Sequence, residues 1–143
     1  LRYREDDFVG PGGEVTNVRN RLTHIGPSTE YNYPQQVLLS RSRYIAPATQ
    51  SLRFYREYFQ PDHIYQIDKD RLRFHIQYQG TEFYINLDTM ITPELGSFLE
   101  VKSRTWSRTD ATRKSRMIPM LINHLGADPE HTLSKDYIQM IEK

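Results

Sequence analysis

The chain has 143 residues, with 19 Lys and Arg against 18 Asp and Glu, a formal net charge of +1 and no cysteine. That length suits one domain, the missing thiols exclude disulfides, iron–sulfur clusters and thiolate zinc sites, and near-neutrality argues against gripping nucleic acid by bulk charge. No apolar run approaches the ~18 residues of a membrane span and no signal peptide is visible, so the default expectation is a soluble, cytoplasmic protein.

From the start to about residue 106 the pattern is alternation of apolar and polar residues, which predicts strands. The first is Leu1 to Glu5, followed by a connecting loop, Asp6 to Thr16, holding Gly10, Pro11, Gly12 and Gly13. It lacks the Gly-Lys-Ser/Thr ending of a phosphate-cradling loop. Further strands are predicted over Val18–Ile25 and Gln36–Tyr44, then a short helix over Ala48–Phe59 opened by Pro47. The longest strand runs from Ile64 to Tyr78 and turns at Gln79-Gly80 into Thr81–Ile91. A loop over Pro93–Gly96 leads to a last strand, Ser97–Thr105. Beyond Trp106 the pattern becomes helical. Ser107 and Asp110 resemble a capping box for a helix with apolar positions Ala111, Ile118, Leu121, Ile122 and Leu125, kinked at Pro119 and ended by Gly126. A final short helix starts near Ser134 and uses Tyr137, Ile138 and Ile141.

The cations fall on these strands in a pattern. The chain has 14 Arg and only 5 Lys. Arg2 and Arg4 are two apart, as are Arg19 and Arg21, Arg41 and Arg43, then Lys69, Arg71 and Arg73, and Lys102 and Arg104. Side chains on a strand alternate with period two, so each set shares one face. On the best-patterned strands the opposite face is apolar, with Leu72, Phe74 and Ile76, and with Leu99 and Val101, and is expected to be the core. Like charges on neighbouring strands repel, so a sheet that collects them calls for an anion, phosphate above all. Glu100 is in phase with Lys102 and Arg104, and Asp88 and Glu82 lie on the polar face of their strand. They are candidate catalytic (Glu100, Asp88) and metal-ligating (Glu100, Asp88, Glu82) residues for a Mg²⁺ or Mn²⁺ polyphosphate complex; the alternative is that they are salt-bridge partners of the cations. The five histidines show no metal-ligand spacing and are read as surface or cap residues, and Trp106, Tyr44 and Tyr58 as core or rim residues.

The ordered set of these segments resembles the CYTH superfamily, the triphosphate tunnel metalloenzymes, which include class IV adenylate cyclases and thiamine triphosphatases. The resemblance is carried by Leu1-Arg2-Tyr3-Arg4, by Leu22-Thr23-His24-Ile25-Gly26-Pro27, by Lys69, Arg71 and Phe74, by Leu87-Asp88 with Leu95-Gly96-Ser97-Phe98-Leu99-Glu100, and by Leu125-Gly126 with Asp136-Tyr137-Ile138. It implies an α+β fold: an antiparallel β-barrel or tunnel lined by the basic strands, with helices flanking it and the C-terminal helices packed outside. It also implies a triphosphate or nucleotide ligand, a divalent ion and phosphoryl hydrolysis, with cyclase activity as a lesser alternative. The chain departs from the family pattern in three places: Ile25 stands where a phosphate-binding Lys is usual, Lys102 stands where a second Glu is usual, and Arg41 and Arg43 fall near where carboxylates are common. The family's Glu-x-Glu-x-Lys strand would precede Leu1. A chain beginning without Met is expected to be a processed product or part of a longer protein, and some family members are fused behind a kinase domain of the uridine kinase type. A phosphate-sensing module without catalysis is therefore a second expectation. An RNA-binding sheet is a third; Phe74 and Tyr78 lie opposite Lys69 and Arg71, which counts against it.

Overall fold

In a computed structural model, residues 1–24, 33, 37 and 44–142 are described. They form an α+β protein with two three-stranded antiparallel sheets and three α-helices among the described residues. The described strands do not close into a barrel. No helix among them is long and apolar enough to cross a membrane. The chain divides into two compact units, one of described residues 1–24 and 44–64, the other built mainly of residues 65–142.

In the first unit, β1 (Arg2–Val9) pairs with β2 (Val15–His24), and β2 with β3 (Tyr44–Pro47). The first strand runs four residues beyond the predicted Glu5. Its alternation continues through Asp6 and Phe8, so the connection shrinks to residues 10–14, where Gly13 takes a positive φ of 86°. Pro47 closes β3 rather than opening the helix. Helix α1 (Leu52–Phe59) instead starts at Ser51, whose hydroxyl accepts from the Phe54 amide. Tyr55 turns from α1 onto Tyr3, ring centroids 5.8 Å apart. The greater part of the predicted strand over Gln36–Tyr44, with Arg41 and Arg43, lies outside the described residues.

The second unit is a meander of β4 (Asp68–Tyr78), β5 (Thr81–Thr92) and β6 (Gly96–Lys102), then α2 (Arg108–His124), a 3₁₀ turn (Pro129–His131) and α3 (Tyr137–Ile141). Gln79 and Gly80 both have positive φ, 48° and 69°, as a two-residue hairpin turn matching strand twist requires. Predicted strand ends are trimmed: residues 64–67 precede β4, and Arg104 lies two residues past β6.

Apolar burial departs from simple alternation. Phe83, Met117 and Leu121 form the core, with Ile76, Tyr78, Val101 and Ile118 packed on it, so α2 covers the hairpin end of the apolar face. Farther along that same face Leu72 is 63% exposed and Phe74 46%. The expectation that the whole apolar face forms the core is therefore corrected: one helix supplies side chains to only part of it. The β4–β5 pairing slips at its far end, Asp68 facing Thr92 and Lys69 facing Met90, so Ile91 has no partner in the register. Trp106, expected in the core or rim, is exposed.

Helix α2 begins where the sequence places it. The Ser107 hydroxyl accepts from the Asp110 amide at 3.1 Å, and the Asp110 carboxylate accepts from the Trp106 amide at 3.2 Å, one residue before the usual box partner. Replacing Ser107 with Ala leaves a helix-end donor unpaired and is expected to cost about 1 kcal/mol, measured by urea denaturation.

Candidate functional site: a basic sheet face with internal counter-ions

Register decides which side chains meet. In the second unit the rows on the polar face are Lys69 and Met90; Arg71, Asp88 and Phe98; Arg73, Asn86 and Glu100; and His75, Tyr84 and Lys102. The sequence-predicted cations Lys69, Arg71, Arg73 and Lys102 thus share a face with Asp88 and Glu100.

Asp88 is only 1% exposed. Arg71 grips it with two donors, Nε to Oδ1 at 2.5 Å and Nη2 to Oδ2 at 2.6 Å, and Lys69 Nζ reaches Oδ2 at 2.6 Å. The Tyr137 hydroxyl, delivered by α3, donates to Oδ2 at 2.7 Å. Its ring sits 4.3 Å from the Lys69 ammonium and packs edge-on against Phe98. Burial alone would push the Asp88 carboxyl up, but hydrogen bonds from Arg71, Lys69 and Tyr137 outweigh it and hold Asp88 well below the usual carboxylate range. Burial, followed by the hydrogen bond to Asp88, drives the Tyr137 phenol well above its ordinary value.

Glu100 is likewise engaged. Lys102 Nζ lies 2.7 Å from Oε1; Asn86 Nδ2 donates to Oε2 at 2.8 Å, and Arg71 Nη2 approaches Oε2 at 3.4 Å. Burial raises its pKa, and the Lys102 charge, with the hydrogen bonds from Lys102 and Asn86, lowers it further than burial raises it. Glu82, at the hairpin end, is 3.7 Å from His75 Nε2. Among the described residues no three His, Asp or Glu side chains gather into a group that could hold a metal ion. Both oxygens of Asp88 and of Glu100 accept from protein donors, which ties the two carboxylates into one ion-pair network.

The remaining cations differ. Arg73 has only a long bond to a neutral acceptor, Nε to Asn86 Oδ1 at 3.4 Å. Arg104 lies over the Tyr84 ring, Cζ 5.9 Å from its centroid. Neither has a carboxylate partner among the described residues. The backbone at Arg104 is fixed from α2: buried Lys114 donates from Nζ to the Arg104 carbonyl at 2.5 Å and pairs with Asp110 at 2.9 Å. Ser103 donates to the Glu82 carbonyl at 2.7 Å, holding the chain to β5 just past the end of β6.

The first unit carries its own basic face. Arg4 and Arg21 face each other across β1 and β2, and Asp6 faces Arg19. Asp6 accepts from Arg4, from Arg21 Nη2 at 2.8 Å and from Arg19 Nη2 at 3.0 Å. Burial would raise its pKa, and hydrogen bonds and charge from Arg19, Arg4 and Arg21 lower it overall. The Nε atoms of Arg19 and Arg21 are buried without a hydrogen-bond acceptor among the described residues. Arg2 shares this face, opposite Thr23.

Asp6, Tyr137 and Lys114 take part although no local pattern assigns them a role: Asp6 falls in the predicted loop, where only the alternation continuing past Arg4 marks it, Tyr137 falls among the apolar positions of the predicted last helix, and Lys114 has no pattern that marks it. No protein-family model, curated protein or solved structure matches the chain.

Proposed function

We propose that the chain is a polyphosphate-binding domain of the triphosphate-tunnel type, in which the basic strands enclose a phosphate chain. One observation carries this reading: among the described residues Arg73 and Arg104 lack carboxylate partners, on a face whose other cations, Lys69, Arg71 and Lys102, are matched to Asp88 and Glu100. Unmatched guanidinium groups beside Lys102 suit the multiple oxygens of a phosphate chain, which accept paired N–H donors. The internal carboxylates keep the cations together when no ligand is present.

What supports binding over metal-dependent hydrolysis is that Asp88 and Glu100 accept hydrogen bonds from Lys, Arg, Asn and Tyr side chains. Titration calorimetry with inorganic triphosphate tests the reading. The Arg73→Ala, Arg104→Ala double variant is expected to lose about 1–3 kcal/mol of binding for each arginine. Unchanged affinity would reject the site. Phosphate release with Mg²⁺ or Mn²⁺ that Glu100→Gln abolishes would assign hydrolysis to it instead.

A further inference from the structure

The start of α2 joins an open tryptophan to an arginine groove. Trp106, the chain's single tryptophan, is 82% exposed. Its backbone is nonetheless fixed, since its amide donates to the Asp110 carboxylate at 3.2 Å and the next residue, Ser107, caps the helix. Beside it Arg108, Thr109, Thr112, Arg113 and Arg116 line an open groove of about 490 Å³. Arg108, Thr112 and Arg116 follow one another at four-residue steps, so they share a helix face, with the two arginines about 12 Å apart along the axis. Met120 continues the same row and is 52% exposed.

The acid and the lysine of α2 are withdrawn from this face. Lys114 is buried and pairs with Asp110 at 2.9 Å, and Arg113 leans from the edge of the groove onto Asp110 at 3.0 Å. Among the described residues Arg116 has no carboxylate partner. A helix face kept for solubility would mix Lys with Glu, whereas Trp, Met and Arg are enriched where proteins meet and Lys and Glu are depleted there. Guanidinium groups suit such contacts because they are weakly hydrated and grip a carboxylate with two parallel donors. The arginines thus set the sign of the partner's charge, and the apolar side chains at both ends set its flanks. A nucleic acid would use the indole and the arginines but not Met120, and a net charge of +1 gives it little long-range pull.

We propose that this face of α2 docks an acidic peptide segment of a partner protein, its carboxylates on Arg108 and Arg116 and its apolar flanks on Trp106 and Met120. The site uses none of the sheet cations and does not depend on the polyphosphate reading.

Because Trp106 is the only indole, its fluorescence reads the site directly. The probe is a synthetic peptide with a run of glutamates flanked by leucines, set against the same peptide with glutamine for each glutamate, on the full chain. The acidic peptide is expected to move Trp106 emission to shorter wavelength and shield it from acrylamide, and the glutamine peptide to bind at least about tenfold more weakly. By calorimetry the Arg108→Ala, Arg116→Ala double variant should bind the acidic peptide about tenfold more weakly or worse. Unchanged emission up to about 1 mM acidic peptide overturns the proposal, as does equal affinity for the two peptides or equal affinity of wild type and double variant. An oligothymidylate that binds more tightly than the acidic peptide and is lost in the double variant also overturns it, and makes the face a nucleic-acid surface. If the double variant fails to fold, the wild-type contrast between the two peptides decides.

Discussion

Replacing Asp88 with Ala is expected to destabilise the second unit by about 3–5 kcal/mol, because it strands a partly buried Lys–Arg pair without its buried counter-ion. The side chain has no exposed surface, and four hydrogen bonds converge on it from Arg71, Lys69 and Tyr137. Its loss leaves two positive charges side by side, with only the long Arg71 contact to Glu100 remaining, and the Tyr137 hydroxyl without its acceptor. Asp88→Asn keeps the shape and one acceptor oxygen but removes the charge, and should fall between Ala and wild type. Urea denaturation measures the difference; a loss below about 1 kcal/mol for Asp88→Ala would mean that water reaches the cluster and screens it.

The pH dependence follows from the same pair. The folded pKa of Asp88 lies below its unfolded value of about 4. A depressed carboxylate contributes stability that is fully present above the unfolded pKa and is lost as pH falls toward the folded one. Wild type should therefore weaken progressively below about pH 4. Asp88→Ala should show a shallower acid limb, since Asp6 and Glu100, also depressed, still contribute theirs.

The β4–β5 hairpin, its Gln79-Gly80 turn and the α2 start were legible because each depends on neighbours in sequence. So was the gathering of Lys69, Arg71, Arg73 and Lys102 on one face, since period two and hairpin register fix it. What pairs with what was not legible. Tyr137 is 49 positions from Asp88, and only the return of α3 over the sheet brings the two together. The sequence offered two roles for Asp88 and Glu100, metal ligand or counter-ion, with nothing local to separate them; the side-chain geometry favours the second. Asp6 is hard to place for a different reason. Gly10, Pro11, Gly12 and Gly13 suggested a long loop, yet a strand can run up to a tight turn, and the pairing of β1 with β2 extends to Val9 opposite Val15.

Phe83→Ala and Leu72→Ala separate the periodic pattern from the packing that uses it. Both residues lie on the apolar face of one hairpin, and alternation alone ranks them equally. Phe83 has no exposed surface and meets Met117 and Leu121 of α2, whereas Leu72 is open to solvent with Leu87 beside it, itself exposed. Truncating Phe83 removes transfer energy and leaves a cavity between sheet and helix, an expected loss of about 3–5 kcal/mol. Leu72→Ala should cost under about 1 kcal/mol, since little of its surface is withdrawn from water. Chemical denaturation of the two variants reads the contrast. Equal large losses would mean that the apolar face is covered along its whole length, as strict alternation implies. The Phe83 variant bears on function as well: α2 holds the Arg104 backbone through Lys114, so loosening α2 should weaken triphosphate binding even though Phe83 lies on the opposite face from every cation of the site.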